Sequence, residues 1–356
     1  MSLRESRKKI QITPMEADQN FGAGTMNLTT HTRQDRDHSY HTQTFSNTVE
    51  VSVEEHNYQR TSTSFLPKEM VYADDADRLT MDHAEERLYL KHATPVLQED
   101  NLGVNESKTE LLKLKRGDRN TETWRESMKL GSLLGDTEDI KNRKDLAAAA
   151  FQRMDKAWLD RRSVNRELKL QLLDTAVMSV FFYNSSCWGI RKCDIEGIDS
   201  LHRRFLRKIL NISWPEIISN KALYKVTKVK PAEIRITRAR WQYFGHALRL
   251  DVLSPPQQAM DFYFAPVSAK CFPGQRCTIV TTLQADIKRT QEFIAKLNEV
   301  KLNKNNNCKL QKFQIEKLSN HSDLKKLRVI ASDRITWRRI TKSVVDAAEA
   351  NRCELE

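Results

Sequence analysis

The chain is 356 residues long, 39% hydrophobic and 30% charged, with a formal net charge of +12. No run approaches the ~18 consecutive apolar residues of a membrane-spanning helix, and 10 glycines and 9 prolines exclude the collagen-like and proline-rich classes. Six cysteines with no C-x2-C pair are too few for a disulfide framework and lack structural-zinc spacing. The first ten residues are charged and have no apolar core, so no secretory signal is expected. Reduced thiols and an intracellular location, nuclear or cytoplasmic, follow as expectations.

The charge is unevenly placed. Residues 1–65 hold seven Lys and Arg against eight Asp and Glu, and the remainder holds 52 against 39. A basic excess confined to one part of a chain is the footprint of a polyanion partner, most often nucleic acid. The competing reading is a surface charged for solubility.

In residues 1–65, Ser, Thr, Asn, Gln and His fill 30 positions and no helical period is sustained. The composition predicts a disordered, low-order polar segment, with 49–53 alternating like one short strand. A strand is predicted over 69–73, entering a turn at Asp74-Asp75. A helix over 81–102 follows, which Pro95 would kink. Residues 111–114 read as a strand and 117–120 as a turn.

Beyond Asp139 the period is helical. Ala147, Ala150, Phe151, Met154 and Trp158 form one stripe. Leu168, Leu172, Leu173, Ala176, Val177 and Val180 form a second. Ile198, Leu201, Phe205, Ile209 and Ile212 form a third, with His202, Arg203, Arg204, Arg207 and Lys208 on the other faces. A fourth helix is predicted over 233–250. Trp214, Trp241 and Phe244 read as core residues, although aromatics in a basic region can also stack on bases. Gly245-His246 reads as a tight helix–helix contact or a helix end, His246 as a core histidine, and Cys187-Trp188 as buried. Pro255-Pro256 and Pro273-Gly274 mark breaks, 301–312 an exposed connection, and 323–350 a last helix.

Tyr72-Ala73-Asp74-Asp75 carries the sharpest chemistry. Two adjacent carboxylates at the tip of a strand-turn-strand unit suit Mg²⁺, a hard cation that takes oxygen ligands. Nucleotide polymerases use such ligands for two-metal catalysis: one ion activates the primer hydroxyl, the other stabilises the leaving pyrophosphate. Taken alone, an Asp-Asp pair is also a solvated turn or a helix N-cap.

The residues from this point onward resemble the reverse transcriptase of LINE-type (non-LTR) retrotransposons. Tyr72-Ala73-Asp74-Asp75 is similar to the family's F/Y-A-D-D palm hairpin. Leu102 to Glu110 ("LGVNESKTE") is similar to its "GLxxNxxKTE" motif, and Leu130-Gly131-Ser132 to its "YLGS" segment. Trp188-Gly189 and Leu201 to Trp214 ("LHRRFLRKILNISW") resemble the stretch beyond it. Arg240 to Arg249 ("RWQYFGHALR") is similar to "RRLRWLGHvLRM", and Ala331 to Arg338 ("ASDRITWR") to the terminal "AxDRxxWR". The motifs keep the family's order over roughly 66–350.

This resemblance implies an RNA-directed DNA polymerase, with Asp74 and Asp75 as Mg²⁺ ligands and Lys108 beside the leaving pyrophosphate, as charge stabiliser or proton donor. The residues read on their own leave Lys108 equally an exposed turn lysine. The family's third palm carboxylate and its Gln-Gly motif have no counterpart in residues 1–65. Two carboxylates cannot place both metals, so the chain is expected to be a C-terminal portion, inactive or nearly so alone. A non-catalytic nucleic-acid binder of retrotransposon origin and a decayed relic are the alternatives.

Residues 191–249 hold 14 Lys and Arg against five Asp and Glu. The resemblance places them in a thumb-like region that tracks template and primer, and phosphate contacts by such residues give sequence-independent, salt-sensitive affinity. Arg203, Arg204, Arg207, Lys208 and Arg240 are the candidate contacts, to an RNA template and DNA primer or to duplex nucleic acid. The predicted fold is α+β, in four parts: 1–65 polar, 66–135 a partial palm, 136–252 thumb-like and helical, and 253–356 a helical tail.

Overall fold

The computed structural model describes residues 4–14, 69–72, 75–80, 83–99, 102–105, 109–115, 123–159, 163–264, 277–303 and 312–355. The chain divides into two units, 1–124 and 125–356. It is mostly helical with small antiparallel sheets, as predicted.

The first unit contains strands β1 (Arg4–Pro14), β2 (Glu69–Tyr72) and β3 (Asp75–Thr80), helix α1 (His83–Glu99), and strands β4 (Leu102–Val104) and β5 (Glu110–Lys115). The order is β2-β3-β1-β4, with β5 also pairing β1, and every pairing is antiparallel. Tyr72 lies opposite Asp75 in the antiparallel pair. Composition gives no hint of β1. It gains ladder hydrogen bonds from β3 on one edge and β5 on the other, and backbone pairing of that kind leaves little trace in side-chain pattern. The suggested strand at 49–53 lies outside the described residues. Helix α1 runs through Pro95 and stops at Glu99, and Leu102 belongs to a strand.

The second unit opens with a hairpin of β6 (Met128–Lys129) and β7 (Ser132–Leu133). Its two-residue loop has φ 47° at Leu130 and 77° at Gly131, the positive pair that a tight hairpin matching strand twist requires. Helix α2 (Asp136–Met154) continues as a π turn over Asp155–Leu159. Helix α3 (Arg166–Leu172) widens to π over Leu173–Met178 and ends as α4 (Ser179–Phe182). Then come α5 (Lys192–Ile209), α6 (Asn220–Thr227), α7 (Ala232–Arg249), α8 (Pro255–Phe264), α9 (Ile279–Asn303), α10 (His321–Ser332) and α11 (Arg334–Leu355). Among the described residues no helix is long and apolar enough to cross a membrane.

The π turns explain where the helical stripes miss. A π turn holds more residues than an α turn and rotates the faces that follow. Leu173, Val177, Met178 and Phe181 are therefore the buried set, while Ala176 is exposed; Leu168, in α3 ahead of the π turn, is exposed as well. Trp158, in the π turn after α2, is 51% exposed rather than core. Pro255 starts α8 rather than breaking the chain, because the first helical position needs no N–H. The predicted last helix is two helices. Asp333 leaves the helical range at ψ 102°, and its carboxylate accepts a hydrogen bond from the Ile335 N–H at 2.9 Å, starting α11 afresh.

Two cores form. Ile140, Ala147, Phe151, Leu173, Phe181, Trp188, Leu201, Phe205 and Leu206 build the first, with Ala232 and Ile236 from the start of α7. Trp241, Phe244 and Leu248 from the end of α7 build the second, with Leu283, Ile287, Leu324, Leu327, Trp337 and Val344. One helix thus serves both cores, its faces set by the 3.6-residue period.

Candidate nucleic-acid interface

Asp74 and Lys108 lie outside the described residues. Asp75 opens β3, its backbone paired with Tyr72 and with Gln11. Among the described residues no cluster of three or more His, Cys, Asp or Glu forms a metal site. Cys187, Cys193 and Cys277 are free thiols.

Within the second unit, four of the segments that carry the resemblance are joined in pairs: 130–132 with 188–189, and 240–249 with 331–338. The buried Asp139 carboxylate accepts hydrogen bonds from the Leu133 N–H at 2.9 Å and from Trp188 Nε1 at 2.8 Å. Arg143 lies beside it, Nε at 3.6 Å, and donates to the Ser132 hydroxyl at 2.9 Å and to the Gly131 carbonyl. The hairpin at 130–132 and the loop at 188–189 are thereby tied to α2. Asp136 accepts from the Gly189 N–H at 3.1 Å; burial outweighs that bond and raises its carboxyl to about 6.

A second junction joins α7 to α11. A Cβ on Gly245 would fall inside the Trp337 indole, and Trp337 Nε1 donates to the Trp241 carbonyl at 2.9 Å. Trp241, Phe244 and Trp337 pack with ring centroids 5.7 to 6.0 Å apart. The predicted tight contact at Gly245 and the burial of Trp188, Trp241 and Phe244 are found. His246, however, is exposed, because the contact consumes the neighbouring face of α7. Trp214 is 89% exposed. It lies beyond the last turn of α5, where a helical period extrapolated from the sequence no longer sets its direction.

The predicted phosphate contacts separate. Arg204 and Lys208 are exposed one turn apart on α5, with Lys208 Nζ 3.6 Å from Asp155. Arg203 and Arg207 are half-buried, and Arg207 donates to Asn220 Oδ1 at 2.8 Å. Arg240 is not a surface contact. It is 3% exposed, and its guanidinium donates to Asp286 Oδ2 at 2.7 Å. A buried guanidinium held by a carboxylate has no free face for a phosphate. His202, placed on an outer face by the sequence, is buried as well.

The basic surface that does form lies between α7 and α11, in a groove of about 540 Å³. Lys230, Arg238, Arg249, Arg334, Arg338 and Lys342 line it, against Asp346 and Glu349. Glu349 is taken by Lys230 at 2.5 Å. Arg238, Arg334, Arg338 and Lys342 are exposed and have no ion-pair partner among the described residues. Arg249 reaches the Ala331 carbonyl at 3.2 Å, and burial, then the charge of Arg334, lowers its affinity for a proton. The groove is thus a crowded positive field that an anion relieves. Arg238 stands two residues before Arg240 on α7; Arg334 and Arg338 lie within the "ASDRITWR" segment, and Lys342 follows it one turn later. Their charge was legible in the sequence, but nothing local marked them as the outward set.

Comparison with known proteins returns no match: no family, curated protein or solved structure is significantly similar to the chain.

Proposed function

We propose that the chain is the C-terminal portion of an RNA-directed DNA polymerase of the non-LTR retrotransposon type. Its helical unit holds the RNA template and DNA primer, or duplex nucleic acid, by the phosphates. The observation that carries the reading is the groove between α7 and α11, where six cations face Asp346 and Glu349 and four of them have no ion-pair partner among the described residues. Unpaired guanidinium and ammonium groups lining one groove are what a phosphate backbone needs.

The motif order in the sequence supports the polymerase half. So does the identity of the locking residues: Gly131, Ser132, Trp188, Gly189, Trp241, Gly245 and Trp337, all within segments that carry the resemblance, also make the long-range contacts of the helical unit. Asp74 and Asp75 are hard oxygen donors that suit Mg²⁺; the bound ion would stabilise charge on the pyrophosphate leaving group. Lys108 would act on the same group. Two carboxylates are fewer than two ions require, which favours non-catalytic binding as the second reading.

Binding is tested by salt and by charge reversal. With about four phosphates engaged, affinity for an RNA–DNA duplex should fall roughly a hundredfold between about 50 and 200 mM salt. The Arg338→Glu/Lys342→Glu double variant should bind at least tenfold more weakly at low salt, with a shallower salt slope. A flat salt response removes the phosphate reading.

Catalysis is tested separately by primer extension with Mg²⁺ on an RNA template. Any extension should vanish in Asp74→Ala. Extension that survives the substitution assigns the activity to another site.

A further inference from the structure

Trp214 and Ile217 are the two most exposed large apolar side chains among the described residues, at 89% and 91%. Trp188, Trp241 and Trp337, by contrast, are at most 3% exposed. The backbone that carries the exposed pair is pinned. The chain leaves α5 at Asn211, where φ is 54°. The Ile212 N–H donates to the Arg207 carbonyl at 2.9 Å and the Asn211 N–H to the Lys208 carbonyl at 3.1 Å, the paired bonds of a Schellman helix stop. A turn follows, in which the Glu216 N–H donates to the Ser213 carbonyl at 2.8 Å, and Trp214 stands at its corner. Ser219 then caps α6, its hydroxyl accepting from the Ala222 N–H at 3.2 Å. Across the base of the loop, Arg207 donates to Asn220 Oδ1 at 2.8 Å. A fixed turn thus holds the indole in solvent. Scattered surface apolar residues need no explanation, but two of them three residues apart on so constrained a loop mark an interaction site.

The charge around the loop says what it meets. Residues 203–228 hold seven Lys and Arg against one acid, Glu216. Lys221 and Lys225 stand one turn apart on α6, as Arg204 and Lys208 do on α5, and all four are exposed. Lys208 is shared with Asp155 at 3.6 Å. Arg204, Lys221 and Lys225 have no ion-pair partner among the described residues. We infer that the loop 210–219 is a stacking site for the bases of a single-stranded nucleic acid, with the flanking cations of α5 and α6 on its phosphates. The inference rests on the nucleic-acid reading of the helical unit but uses none of the residues of the groove between α7 and α11. An exposed indole beside a dense positive field is the pairing that single-strand binding needs: the cations track the backbone, and the ring stacks on whichever base arrives, since every base has a π-face. A duplex keeps most of those faces covered by its own stacking, whereas an unpaired strand presents them.

The test uses the full chain and three probes: an oligothymidylate of about 12 nucleotides, an abasic strand of the same length and charge, and an RNA–DNA duplex of about 20 base pairs. The intact strand should bind about tenfold more tightly than the abasic one. Trp214→Ala, at a side chain that packs against little of the fold, should bring the intact strand down to the affinity of the abasic one. Trp214→Phe should keep most of the difference. Lys221→Glu/Lys225→Glu should weaken both strands. Equal affinity for the intact and abasic strands, or a difference that survives Trp214→Ala, overturns the stacking site; the indole then serves another surface, such as a protein's. Duplex binding that Arg338→Glu/Lys342→Glu weakens, with no strand binding, removes the loop site and keeps the groove. Strand binding that Trp214→Ala weakens, with no duplex binding, keeps the loop site and removes the groove. Absence of both removes both.

Discussion

Asp286→Ala is expected to cost the helical unit about 3–5 kcal/mol, the range for removing one partner of a buried ion pair. Asp286 lies on α9, buried to 4% exposure, and its two oxygens hold three donors. Arg240 Nη1 and Trp241 Nε1 reach one oxygen at 2.7 and 2.9 Å, and Arg289 Nη2 reaches the other at 2.7 Å. Arg289 keeps Glu233 at 3.1 Å if the carboxylate is lost. Among the described residues Arg240 keeps no carboxylate, and its unpaired buried guanidinium is the dominant penalty. Against a typical total of about 5–15 kcal/mol, the loss is a large share of stability. Urea titration should show it as a lower midpoint at unchanged slope. The double variant Arg240→Met/Asp286→Leu should recover more than half of it, since apolar replacement of both partners removes the uncompensated charge. A single-variant cost below about 1 kcal/mol would falsify the buried pair.

Gly245→Ala should lower stability by about 3 kcal/mol or more, opposite in sign to its effect in an open helix. In an exposed helix interior, alanine in place of glycine gains about 1 kcal/mol. At Gly245 the added methyl would overlap the Trp337 indole. The ring must shift, losing its packing against Trp241 and Phe244 and its hydrogen bond to the Trp241 carbonyl. Overpacking costs about 1–3 kcal/mol, and an unmet buried polar group adds about 1–3. In a Trp337→Leu background, which removes the indole, the same substitution should be near neutral. A stabilising effect in the wild-type background would show that α7 and α11 do not meet at this residue.

Much of this was legible locally. The stripe Ile198, Leu201, Phe205 and Ile209 in α5 is buried as its spacing predicts, and Trp241 and Phe244 mark the apolar side of α7. Helix α9 is not evident from the sequence pattern. Its apolar positions Val280, Leu283, Ile287 and Ile294 are interrupted by Asp286 and Thr290, which are buried as well. A polar residue in the core blurs the amphipathic pattern from which a helix is read. The same residue decides the fate of Arg240.

The sequence by itself determined the helical content, the basic excess beyond residue 65 and the motifs on which the resemblance rests. These depend on composition, spacing and the 3.6-residue period, all properties of neighbours along the chain. Which cations face outward was decided only by the tertiary structure. Arg238 and Arg240 lie two residues apart on α7, and the period puts them on different faces. It does not say which face another helix will cover. Packing of α9 and its carboxylate draws Arg240 into the core, while Arg238 is left exposed on the groove that α11 completes with Arg338 and Lys342. A charge becomes a binding site or a structural ion pair according to what lies opposite it, and what lies opposite Arg240 is Asp286, 46 residues further along the chain.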